Sequence, residues 1–262
     1  MSNRYGIRDI IDVEIVDITT KKPILFLESL KTSSTEVGAA VVVARGGRGN
    51  PRRIVWEGDK DVTFNCEDCM ISPTALSLLL GSTLVTGVAK VPVVEILTSA
   101  SDALTLSATP LSGDATRPLT IYSTSDRSTP ETEYTLGSIT NPNEYTIAAR
   151  VVSLPSPTAD GDIFLVSYYK NSTALNKQVT ITSDQFAGTF KLTGYTLFRN
   201  EEDGKDYPAR ITIPKAKLLS PITLTQAASG DPSIFPWKFI VLKSTTSSTM
   251  IIYDIETDAP IN

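Results

Sequence analysis

The stretch Arg45–Gly81, RGGRGNPRRIVWEGDKDVTFNCEDCMISPTALSLLLG, sets three kinds of segment side by side. It opens on a glycine-rich loop with four arginines, Arg45, Arg48, Arg52 and Arg53. A strand studded with carboxylates follows, carrying Glu57, Asp59, Asp61, Glu67 and Asp68. Within it Val62, Phe64 and Cys66 share one face, with Thr63 and Asn65 on the other, the period-two signature of a half-buried strand. A short helix over Ser72–Leu80 closes the stretch. Ser72 suits the N-cap, Pro73 the first helical position and Gly81 the stop. Leu76, Leu79 and Leu80 are expected to form its apolar stripe. The loop carries +4, and the segment Glu57–Asp68 carries five acids and one lysine. So close a pairing of opposite charge suggests a subunit that meets copies of itself.

Outward from this stretch most of the chain also reads as strands. Pro23–Leu27 and Ala39–Ala44 are short continuous apolar runs, expected to be strands buried on both faces. Leu119–Tyr122, Tyr145–Leu154 and Ile163–Tyr169 are further strand candidates. Phe190, Leu192 and Leu197–Phe198 precede Asn200–Gly204, where Asp203-Gly204 signals a hairpin turn. Ile211 and Ile213 share a face beyond it. Lys238–Leu242 and Met250–Ile255 are expected to close the chain as a pair, and Ser183–Ala187 to form a short helical turn.

Residues 91–172 differ from their flanks. They hold nine acids and four bases, whereas the flanks, with twenty of each, are neutral. Ser, Thr and Pro abound, and turn clusters fall at Ser112-Gly113-Asp114, Asn141-Pro142-Asn143 and Ala159-Asp160-Gly161. Strand candidates recur between the turns, as in EYTIAARVVSL and DIFLVSYYK, which argues against a disordered linker. The expected organisation is a β core from 1–90 plus 173–262, with 91–172 as an inserted β-rich module of immunoglobulin-like size or smaller.

Composition narrows the chemistry. At 262 residues the chain can bury a real core. A net charge of −5 does not suit a broad grip on nucleic-acid phosphates. Histidine is absent, which removes Ser-His-Asp and Cys-His catalysis, His-ligated metals and the usual general base near neutral pH. No enzymatic activity and no cofactor are expected. Charges interrupt the apolar residues of MSNRYGIRDIIDVEIV, so no secretory pattern is read there. The apolar runs are far shorter than the roughly 20 residues of a membrane helix. The expected place of synthesis is the cytosol.

Each motif has a plainer reading. Cys66-Glu-Asp-Cys69 has CxxC spacing, but no third cysteine or histidine completes a zinc site. Nor is there a βαβ unit for redox use. Cys66 then belongs to the core face of its strand and Cys69 is incidental, an inter-subunit disulfide being the other reading. One RGG copy is a weak RNA signal. Gly81–Gly87 lacks the lysine of a P-loop. Glu57, Asp59 and Asp61, alternating on a strand, are expected on one face, where they repel unless solvated or paired. A wet acidic surface fits them better than a metal cage. The arginine loop either meets carboxylates of an adjacent copy or is a solvated surface loop.

Asn50–Gly81 and Gln185–Leu218 (QFAGTFKLTGYTLFRNEEDGKDYPARITIPKAKL) together resemble the tail tube proteins of bacteriophages with long tails, the contractile type above all. Ser229–Phe239 and the apolar strand after it fit the same pattern, and Tyr145–Tyr169 is similar to a small β insertion some of these proteins carry. The resemblance implies an all-β fold, a sandwich or barrel-like core with one flanking helix. It implies rings of six whose inner strands close into a continuous barrel, stacked into a hollow tube within the virion. Expected partners are the protein itself, the tail sheath, the baseplate and the tail terminator. DNA would pass through the lumen without specific binding, and no small-molecule substrate is expected. Acidic side chains suit such a lining, making Glu57, Asp59, Asp61, Glu67 and Asp68 lumen or ring-contact candidates, and Arg45, Arg48, Arg52 and Arg53 inter-subunit contacts. Two other readings are a carbohydrate- or receptor-binding β-sandwich on a virion surface, and a carboxylate-based hydrolase.

Overall fold

The computed structural model describes residues 4–7, 9–111, 118–219, 223–225, 228–229, 233–258 and 260–261. The turn expected at Ser112-Gly113-Asp114 and part of Ser229–Phe239 lie outside them. The chain divides into two compact units, Met1–Leu84 with Val179–Asn262, and Val85–Gln178.

In chain order the elements are β1 (Tyr5–Ile7), β2 (Asp12–Asp17), β3 (Pro23–Leu27), β4 (Leu30–Arg45), β5 (Arg52–Asp68), α1 (Pro73–Leu79), β6 (Leu84–Thr86), β7 (Lys90–Thr98) and β8 (Ala103–Thr105). Then follow β9 (Thr120–Ser123), β10 (Glu133–Leu136), β11 (Glu144–Ala148), β12 (Val151–Ser153), β13 (Ile163–Asn171), β14 (Lys177–Val179), β15 (Thr189–Asn200), β16 (Asp206–Leu218), β17 (Phe235–Val241) and β18 (Ile252–Ile255). The fold is all-β with one short helix.

Among the described residues the first unit is a nine-stranded sheet in the order β3-β2-β15-β16-β17-β5-β4, with β1 on β15 and β18 on β16. It nearly closes on itself like a barrel. Alternation sends Val13 and Ile15 of β2, Val62, Phe64 and Cys66 of β5, Leu192 of β15, Ile211 and Ile213 of β16, and Trp237 and Phe239 of β17 into one core. The closing segments do not pair with each other. β16 is long enough to take both, β17 at Ala216–Leu218 and β18 at Ala209–Thr212.

The helix starts as its cap dictates, with the Ser72 hydroxyl accepting from the Ala75 amide at 3.0 Å. Its buried residues are Ala75, Ser77 and Leu79, not the expected Leu76-Leu79-Leu80 stripe. Leu76 and Leu80 are only half-buried. Gly81 lies at φ +65, and a Cβ there would strike the backbone of Phe186 and Ala187. That neighbour, residues 183–187, is an extended bend and not a helical turn. Its backbone is laid across the end of α1.

The second unit is a seven-stranded sheet, β7-β13-β9-β10-β11-β12-β8, around Leu104, Leu106, Ile121, Tyr145, Val152, Leu154, Phe164, Val166 and Tyr168. Tyr145–Leu154, which reads as one strand, is a hairpin, because the chain reverses at Ala149-Arg150 with Ala149 at φ 55. No glycine or asparagine marks that turn.

β6 and β14 pair with each other, and the Gly87 amide donates to the Asn176 carbonyl at 3.0 Å. The chain therefore enters and leaves the second unit side by side. Replacing residues 88–175 with Asn-Gly is expected to leave the first unit folded, its melting midpoint within about 5 °C of the parent. A non-cooperative melt followed by circular dichroism would show that the first unit needs the second.

Candidate functional site

β4 and β5 form a hairpin of two halves. In its lower half β5 is flanked on both sides, by β4 and by β17 from Phe235↔Asp68 to Ile240↔Thr63. There Val62, Phe64 and Cys66 are sealed in the core. Beyond Thr63 the partner β17 ends while β4 and β5 continue together to Arg45↔Arg52. Every residue of β5 from Arg52 to Asp61 is exposed. This is a two-stranded arm of about 30 Å, at roughly 3.4 Å per residue, with both edges unpaired among the described residues.

The arm is apolar in solvent. Val37, Val41, Val42, Ile54, Val55 and Trp56 are each more than half exposed. They divide between two faces. Paired residues share a face, so Val41↔Glu57 and Val43↔Val55 lie on one side, and Val42↔Trp56 and Ala44↔Ile54 on the other. Ala39–Ala44 is thus a strand exposed on both faces, against the expectation of burial. Its apolar run is real, but among the described residues no element covers it. An isolated two-stranded ribbon is only marginally stable in water, and apolar patches of this kind mark interaction surfaces. Unprotected edges point the same way.

A bulge decides where the carboxylates go. Ala39 pairs with Lys60 but Val41 with Glu57, so β5 carries one extra residue opposite Ala40. Gly58 lies against Ala40, where an added Cβ would touch the Ala40 Cβ at 3.6 Å, which makes Asp59 the inserted residue. Parity shifts across the bulge. Asp61, opposite Gly38, and Glu57, opposite Val41, therefore lie on opposite faces. The three carboxylates do not form one acidic face.

The other two acids serve the fold. Asp68 is 3% exposed and accepts from the Ser29 hydroxyl and the Met70 amide. That burial removes it from the surface another molecule can reach. Glu67, half-buried, accepts from the Thr32 hydroxyl at 2.9 Å.

At the tip, only Arg48 sits in the turn; Arg45, Arg52 and Arg53 are strand residues. Gly47, Gly49 and Asn50 all have positive φ, and the Asn50 amide closes on the Gly47 carbonyl at 3.0 Å. The RGGRGN pattern is turn chemistry. Arg53 Nε donates to the Gly46 carbonyl at 2.7 Å, and its guanidinium lies against Gly47. Among the described residues no carboxylate pairs with Arg45, Arg48 or Arg52.

Both cysteines of the CxxC pair are free thiols. Burial, reinforced by Asp68 and Glu67, pushes the Cys66 thiol up to about 12, so it stays protonated at neutral pH. The Cys69 thiol donates to the Ser29 carbonyl at 3.2 Å. Among the described residues no three acidic or cysteine side chains are grouped to hold a metal ion. Trp237 is 1% exposed and cannot join Trp56 in an aromatic platform for sugars.

Sequence reasoning located the charges of the arm and missed its apolar residues. The run AAVVVA was visible, but hydrophobicity alone does not say what will cover it.

A family model described as the YomU/Tube protein family matches residues 5–253. Among curated proteins nothing matches the chain.

Proposed function

The chain belongs to the YomU/Tube protein family, and we propose that it closes into rings of six that stack into a hollow, DNA-conducting tube. At the coarser level it is a structural protein of the phage tail tube, a virion component that assembles with itself. The observation that carries the finer reading is the arm. Two apolar faces, two free edges and three unpaired arginines suit contacts between copies. Covering its six exposed apolar side chains contributes about 1 kcal/mol each, or about 6 kcal/mol per arm before ordering costs. Unlike a two-fold dimer contact, an arm fitting a different surface on the next copy is heterologous, the kind that closes rings or extends filaments.

In this proposal the tube works by assembly and conduction, without catalysis. Glu57, Asp59 and Asp61 are candidates for the lumen or for ring contacts, where negative charge keeps DNA from sticking. Residues 91–172 decorate the outer wall. A contractile sheath around the tube, with baseplate and terminator at its ends, completes the proposed set of partners.

Electron microscopy of concentrated protein should show rings end-on and striated tubes from the side. Monodisperse monomers in several salts, even after nucleation by tail components, would overturn the proposal.

Charge reversal at the tip, R48E/R52E/R53E, is expected to leave the fold intact and lower polymer yield by at least about tenfold. Sedimentation measures the yield and circular dichroism the fold. Normal tubes from this variant would show that the arginines make no contact across copies.

A further inference from the structure

The first unit carries a groove whose lining complements the arm in charge. Two adjoining hollows of about 390 and 330 Å³ share Asp9 and Leu197, and they run over the N-terminal end of β16 and the strand beside it. Tyr195, Leu197 and Pro208 give the groove an apolar floor. Tyr195 is 42% exposed.

Its arginines are already neutralised within the chain. Arg199 makes a two-pronged pair with Asp206, both bonds at 2.7 Å, and Arg210 meets Glu256 at 2.5 Å. Its wall is different. Asp9 and Asp12 line the groove, and Glu28 stands near enough to act on Asp12. Among the described residues no cation pairs with any of the three. Partial burial, then the charges of Asp9 and Glu28, push the Asp12 carboxyl up.

We infer that this groove receives the arm of a neighbouring copy, its apolar side chains on the Tyr195–Leu197–Pro208 floor and Arg45, Arg48 and Arg52 against Asp9, Asp12 and Glu28. The inference rests on the tube reading and names the surface that the arm meets.

Strand directions add the geometry of the contact. β5 and β16 both run antiparallel to β17, so they point the same way along the sheet. The arm tip lies at the N-terminal end of β5, and the groove at the N-terminal end of β16. Both therefore sit toward one end of the sheet. With the strands running along the tube axis, arm and groove of neighbouring copies in a ring would lie level with each other, and a stacked ring would offer its opposite end. In that arrangement the arm makes the contact around the ring.

Charge exchange in the full-length protein tests this. R48E/R52E and D9K/D12K should each lower the sedimenting polymer at least about tenfold, and the quadruple variant should recover most of the loss. A second measurement uses R48C with D12C in a C69S background. Mild oxidation of polymer should give a ladder of covalent multimers on denaturing gels. A quadruple variant that polymerises no better than either double would overturn the pairing, as would intact tubes that yield no ladder. A ladder from R48C with D61C, and none from R48C with D12C, would overturn it too, by showing that arms meet arms. Failure of the wild-type chain to form tubes would count against the tube reading itself, a separate outcome.

Discussion

Replacing residues 39–60 with Asn-Gly is expected to give a protein that folds and does not polymerise. Gly38 and Asp61 are a register pair, and Asn-Gly is a favoured two-residue hairpin connection. The shortened hairpin keeps Leu30, Val62, Phe64 and Cys66, its contributions to the core. None of the deleted residues belongs to that core. The deletion removes Val41, Val42, Ile54, Val55 and Trp56 together with the arginine tip, and most of the roughly 6 kcal/mol per copy with them. At 1.4 kcal/mol per tenfold change, a loss of that size raises the critical concentration by about three to four powers of ten. Sedimentation and electron microscopy measure assembly, and a thermal melt checks the fold. Tubes formed by the deletion variant at parental concentration would remove the arm from the assembly mechanism.

Trp237→Ala is expected to act on the opposite side of this division, costing about 3–5 kcal/mol of folding stability. The indole is 1% exposed and stacks on Phe239 at 6.3 Å with an interplanar angle of 11°. Trp237 is paired with Cys66, and Phe239 with Phe64, so the cavity would open where β17 and β5 meet. The ladder to β5 holds the backbone in place, so relaxation closes the cavity only in part. A domain stable by roughly 5–15 kcal/mol loses a large share of that to one truncation. Urea unfolding should show a lower midpoint with an unchanged slope. Trp56→Ala provides the contrast. It is the same residue type, 51% exposed on the arm, and its removal should leave monomer stability within about 0.5 kcal/mol while weakening assembly. Equal destabilisation by both changes would contradict the separation of core from arm.

The parts of the fold legible in the sequence are those whose cause is local. Ser72, Pro73 and Gly81 bracket a helix because a cap, a fixed φ and a left-handed stop act over a few bonds. Asp203-Gly204 marks its hairpin for the same reason, and Val62-Phe64-Cys66 shows its buried face by alternation. What was missed has non-local causes. β2, with Val13 and Ile15 inward, sits within an N-terminal segment whose charges mask its pattern. Ala149-Arg150 turns without turn residues because Val151–Ser153 finds partners on both sides, Ala103–Thr105 and Thr146–Ala148. The bulge opposite Ala40 is set by pairing with β4, and it moves Glu57 and Asp61 to opposite faces.

By itself the sequence determined an all-β chain with one capped helix, no histidine chemistry and a basic tip beside an acidic strand. Each of these follows from composition or from neighbours along the chain. Only the tertiary structure decided that Val41, Val42, Ile54, Val55 and Trp56 are exposed. A strand that is apolar on both faces reads the same whether its own fold covers it or another copy must. Where the pairing with β17 stops at Ile240↔Thr63, β5 runs on with no partner but β4 among the described residues, and that difference in strand length turns a core hairpin into an arm.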